Sequence, residues 1–64
     1  MKEGKARQNA IQASRGARTV FVCEWADEPG RYGAVAEREY YADDTQGQFF
    51  REAIAEYHDG HEVT

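Results

Sequence analysis

The sequence predicts an α+β fold: a small single domain in which an antiparallel β-hairpin or three-stranded sheet is packed by a C-terminal amphipathic helix, with an N-terminal helix as a further element. Three observations predict it. Residues 19–25 are β-branched and aromatic, a Pro-Gly turn stands at residues 29–30, and apolar residues recur at helical spacing from Phe49 to Tyr57. The 64 residues make one domain, read as a basic arm or helix (1–18), a hairpin (19–42) and a helix (45–60).

The N-terminal stretch Lys2–Ser14 is rich in helix formers, and Ala6, Ala10, Ile11, Ala13 and Ala17 lie near a 3.6-residue spacing. That stripe is thin and Gly4 weakens its start, so helix, third strand (residues 8–13) and disordered arm all stay open. Ser14-Arg15-Gly16 reads as a stop or turn.

Thr19–Trp25 has the composition of a strand, with Thr19, Phe21, Cys23 and Trp25 on one face and Val20, Val22 and Glu24 on the other. Apolar groups on both faces predict a central or doubly covered strand. Asp27-Glu28-Pro29-Gly30-Arg31 predicts a type II turn: Pro presets φ at its second position and Gly accepts positive φ at its third. Residues 33–42 are expected to return as the partner strand. Ala34, Ala36, Arg38 and Tyr40 would share one side of it, and Val35, Glu37, Glu39 and Tyr41 the other. The small alanines would let a helix approach closely.

Thr45-Gln46-Gly47-Gln48 fits a capping box, and Asp43 and Asp44 precede it at the positive end of the expected helix dipole. Phe49, Phe50, Ala53, Ile54 and Tyr57 then fall on one arc of a helix over about residues 46–58, with Gly60 as its left-handed cap.

Charge is divided along the chain. Residues 1–18 carry five Lys/Arg against Glu3, while residues 19–64 carry three Arg against eleven carboxylates, within a formal net charge of −4. An arm of this kind is an ordinary charged tail, folds back on the acidic body, or addresses a separate partner. On the predicted helix Glu52, Glu56 and Asp59 form an unpaired acidic stripe, and on the predicted strand Glu37 and Glu39 lie ~6.6 Å apart on one face. Such carboxylates either keep the surface solvated or imitate part of the phosphate field of DNA toward a basic protein. The candidate partner-binding set is Glu37, Glu39, Asp43, Asp44, Glu52, Glu56 and Asp59, with Tyr40 and Tyr41 as aromatic anchors.

No catalytic group is assigned. Ser14 and Cys23 have no base nearby in sequence, and no phosphate-cradling glycine pattern occurs. No cofactor or metal is expected either. Cys23 is the only cysteine, and Gly60 interrupts the His58/His61 spacing. Cys23 reads as an inert core thiol, which suits a reducing cytoplasm. The N-terminal residues lack the apolar run of a secretory signal, and no stretch is long and apolar enough to span a membrane. The expectation is a cytoplasmic protein, not an enzyme, that meets a basic protein surface. A homodimer or partner would cover the thinly protected second face of the sheet.

Short length, one domain and a carboxylate-rich surface together resemble the small acidic anti-CRISPR proteins of phages and mobile elements, a family with no shared motif. The resemblance implies binding to a CRISPR effector subunit at a surface meant for target DNA, in the cytoplasm of an infected or element-carrying bacterium. A second resemblance, to HicB-type antitoxins, rests on the order of strand, Asp27-Glu28-Pro29-Gly30 turn, strand and Thr45. It extends to topology alone, since the second strand is longer than that pattern expects and no separate DNA-binding module follows; the alternative function, a nucleic-acid-binding or antitoxin-like regulatory module, would act through the basic arm of residues 1–18.

Overall fold

The computed structural model describes residues 1–43 and 49–63. In chain order the elements are α1 (Glu3–Ala13), β1 (Thr19–Glu24), β2 (Tyr32–Ala36), α2 (Glu37–Tyr41), β3 (Ala55–His58) and β4 (His61–Val63). The strands form an antiparallel sheet in the order β2-β1-β3-β4. The fold is α+β, as the sequence predicts.

β1 is central because both of its faces are apolar. Val20 and Val22 point to the face covered by α1, where they meet Ala6, Ala10, Ala55 and Tyr57. Phe21 and Cys23 point to the other face and pack with Val35, Tyr40, Phe50 and Ala53. The thin stripe on α1 suffices because it is made of small residues: Ala6 and Ala10 have no exposed surface, so the helix sits close against Ala34 and Val20. The N-terminal segment is therefore a packed helix, not a third strand or a free arm.

α1 ends at Ser14, and two left-handed residues, Gly16 (φ 86°) and Ala17 (φ 62°), turn the chain into β1. The next turn is the one the sequence predicts. Arg31 N–H donates to Glu28 C=O at 3.1 Å, with Pro29 at the second position and Gly30 at φ 86° at the third. Beyond it β2 pairs with β1 from Glu24↔Tyr32 to Val20↔Ala36. Met1 continues the sheet on the outer edge of β2, its C=O accepting Tyr32 N–H at 2.7 Å.

Two expectations are corrected. The partner strand stops at Ala36 rather than running to residue 42, and Glu37–Tyr41 is helical. β1 begins at Thr19, so residues past 37 have no strand to pair with. The α2 turn instead folds Tyr40 back over Phe21, with ring centroids 4.3 Å apart.

The larger correction concerns the C-terminal helix. Residues 55–63 form a hairpin whose Ala55 and Tyr57 point inward while Glu56 and His58 point outward, a period of two. Asp59 (φ 50°) and Gly60 (φ 83°) form its two-residue turn, between the paired His58 and His61. Positive φ at both positions is the type I′ arrangement, which matches the twist of the strands it joins. The same Asp-Gly pair that can end a helix closes a hairpin here, because β1 needs a neighbour on its second edge. The Thr45–Gln48 capping box and Asp44 lie outside the described residues.

Candidate acidic interaction face

The sheet separates the charges that the sequence separates along the chain. α1 and the residues flanking it, which carry Lys2, Lys5, Arg7 and Arg15, belong to the face of Val20 and Val22, where Glu3 and Glu62 pair with Arg7. α2 and residues 49–53 cover the opposite face, that of Phe21 and Cys23. From Glu37 to Glu56 the described residues carry five carboxylates (Glu37, Glu39, Asp43, Glu52, Glu56) against Arg38 and Arg51. None of the five is in a salt bridge among the described residues.

Aromatic residues build the centre of this face. Tyr40 stacks on Phe21 at an interplanar angle of 23°, and its hydroxyl accepts the Ala53 N–H at 3.1 Å, which ties α2 to the segment leading into β3. Tyr41 stands nearly perpendicular to both rings, at 82° to Phe21 and 74° to Tyr40, and is 67% exposed. With Asp43, Phe50, Arg51, Glu52 and Ala53 these residues line a cleft of about 760 Å³. Trp25 lies 5.0 Å from the Phe50 ring and seats its indole on Gly33.

Of the residues the sequence marks out, the cleft gathers Tyr40, Tyr41, Asp43 and Glu52. Asp43 Oδ2 accepts N–H groups from Phe49 (3.4 Å) and Phe50 (3.3 Å), so this carboxylate also shapes the loop. Glu56 is half-buried on β3 opposite Phe21, and directly opposed residues share a face, which puts it on the same side of the sheet. Glu37 and Glu39 line a second, shallower hollow of about 650 Å³ with Arg18, Arg38, Ala34 and Ala36. They are not a strand pair on one face: two residues apart on a helix, they do not face each other.

The acidic stripe Glu52, Glu56 and Asp59 is dissolved, since the three lie in a loop, a strand and a turn. Asp59 leaves the set, because its Oδ1 accepts the N–H groups of Ala17 (3.1 Å) and Gly16 (3.2 Å). Those two bonds, with smaller help from His58 and His61, hold its carboxyl below the usual range. His58 and His61 oppose each other across the hairpin, and His58 Nδ1 lies 3.0 Å from Thr19 Oγ1. Among the described residues no group of three or more His, Cys, Asp or Glu could hold a metal ion. No helix there is long and apolar enough to cross a membrane. Cys23 is buried, and burial pushes its thiol up to about 11.

Phe21, Phe50, Arg51 and Ala53 are cleft residues that the sequence does not single out as functional. Phe21 and Phe50 look like core in any periodicity, and only the fold of α2 over β1 makes them walls of a surface feature. Compared with protein-family models, with curated proteins and with solved structures, the chain finds no match.

Proposed function

We propose that this protein is a small acidic inhibitor that binds a Lys/Arg-lined DNA site, that of a CRISPR effector, and competes with target DNA in the cytoplasm of an infected or element-carrying bacterium. The observation that carries this reading is the segregation of charge by sheet face. Asp43, Glu52 and Glu56 lie on the aromatic side, while the basic residues of α1 lie on the other, with Glu37 and Glu39 on α2 beside a hollow that α1-face residues share.

Magnitudes say what such a face can and cannot do. The molecule extends 29 × 24 Å on its broadest side, about 700 Å², close to the ~800 Å² per partner of a standard interface. One DNA strand presents about seven phosphates over 24 Å, at ~3.4 Å each. Even all five carboxylates from Glu37 to Glu56, less Arg38 and Arg51, would reproduce under half of that. Charge would therefore set the encounter rate and the salt dependence, and apolar anchors would supply much of the residence time. Tyr41, exposed in a rim of carboxylates, is the anchor this reading requires.

The test is competition. Target-DNA binding by a guide-loaded CRISPR effector is followed by fluorescence anisotropy with increasing amounts of this protein, at low and high salt. The reading expects displacement of DNA that weakens as salt rises. No displacement, or binding of the DNA by this protein itself through the basic residues of α1, would overturn it and favour the nucleic-acid-binding alternative.

A further inference from the structure

We infer that His58 and His61 form a two-imidazole chelate for a borderline transition-metal ion such as Zn²⁺, on the outer face of the β3–β4 hairpin. The site is independent of the proposed function.

The turn brings the two side chains together. On a helix Gly60 would interrupt their spacing, but in the hairpin Asp59 and Gly60 are the turn itself, and His58 pairs directly with His61. Directly opposed residues of an antiparallel pair share a face, with Cβ atoms ~4.5–5.5 Å apart, so one ion is within reach of both imidazoles. β1 supplies a second observation. Thr19 opposes His58 from the other side, and its Oγ1 lies 3.0 Å from His58 Nδ1. A metal-ligating histidine holds its other ring nitrogen in a hydrogen bond to an oxygen, which fixes tautomer and ring orientation. With the Nδ1 proton given to Thr19, His58 Nε2 keeps its lone pair for a metal. Neither that nitrogen nor the His61 ring has a hydrogen-bond or ion-pair partner among the described residues, and both histidines are exposed.

Charge and ligand type name the ion. Asp59 stands between the histidines in the turn, and its carboxyl, held below the usual range, is an anion close enough to interact with both rings. Imidazole suits zinc, copper and nickel, whereas magnesium and calcium take oxygen ligands. Two protein ligands leave the other coordination positions to water, so the site is open, unlike a structural zinc site closed by four.

The probe is Zn²⁺, titrated into the protein in a non-chelating buffer and followed by calorimetry and by the imidazole NMR signals. The inference expects one ion per chain with a Kd on the order of 0.1 mM, and shifts at both histidines. Mg²⁺ should cause none. Zn²⁺ should also raise the melting temperature of wild type and leave that of His58→Ala/His61→Ala unchanged. Both positions are exposed, so the double variant keeps the fold. Thr19→Val should bind about tenfold more weakly, and Thr19→Ser, which keeps the hydroxyl, should restore the affinity. Absence of saturable binding would overturn the inference. Equal binding by His58→Ala/His61→Ala would do the same, since it would mean an adventitious ion only.

Discussion

Asp59 Oδ1 lies 3.1 Å from the amide nitrogen of Ala17, so a carboxylate in the β3–β4 turn holds the left-handed residue that leads from α1 into β1. A non-glycine residue at positive φ costs roughly 1–2 kcal/mol. Here the strained turn is stabilised by a charged acceptor 42 residues away in sequence.

This predicts the behaviour of Asp59→Asn. Asn keeps an acceptor oxygen and suits the type I′ turn, so the variant folds but lacks the charge. The folded carboxyl titrates below its unfolded value, so its contribution is present above pH ~4 and is lost as pH falls through the folded value. Thermal unfolding should show the variant melting below wild type at pH 7, with the gap closing below pH ~4. A gap independent of pH would show that the charge contributes nothing.

Ser14 offers a second test of the same corner. Its hydroxyl accepts the Gly60 N–H at 2.9 Å and donates to Ile11 C=O, and the residue has no exposed surface. Ser14→Ala leaves a sheltered amide without a partner, at a cost of about 1–3 kcal/mol. Urea unfolding should show the midpoint falling with an unchanged slope.

Tyr40→Phe separates the hydroxyl from the ring. It keeps the stack on Phe21 and loses the acceptor for Ala53 N–H, so stability should fall by about 0.5–1.5 kcal/mol. Hydrogen exchange at Ala53 should quicken, while that of β1 amides changes only by the global loss.

Cys23 should be inert. With 1% of its surface exposed and its thiol pushed up to about 11, it should resist a maleimide at pH 8 in the folded protein and react fully in denaturant. Rapid labelling of the native protein would mean that the Phe21 face opens readily.

Much of this fold was legible residue by residue. Apolar groups on both sides of Thr19–Trp25 identify a central strand, and Pro29-Gly30 specifies its turn, because both signals are local. The β3–β4 hairpin was not legible for a definite reason: Phe49, Phe50, Ala53, Ile54 and Tyr57 fit a 3.6-residue spacing as well as Ala55 and Tyr57 fit a spacing of two. Asp59-Gly60 serves either reading. What decides is long-range, since β1 has two edges and β2 covers one. Ile54, an inward residue on the helical reading, is 45% exposed at the bend just before β3. Of the site, Tyr40, Tyr41, Asp43 and Glu52 were legible as surface chemistry, whereas Phe21 and Phe50 become cleft walls only when α2 folds back.

The central claim is that the face of α2 and residues 49–56 meets a basic DNA site. It is tested most directly by inhibition of target-DNA binding by a guide-loaded CRISPR effector, comparing wild type with Glu39→Lys/Glu52→Lys and with Lys2→Glu/Lys5→Glu. All four positions are exposed, so the variants should fold. The account predicts that the first variant needs at least about tenfold more protein for half-inhibition, from roughly 1.4 kcal/mol of lost complementarity, and that the second inhibits as well as wild type. Equal inhibition by Glu39→Lys/Glu52→Lys, or loss of inhibition only in Lys2→Glu/Lys5→Glu, would contradict it.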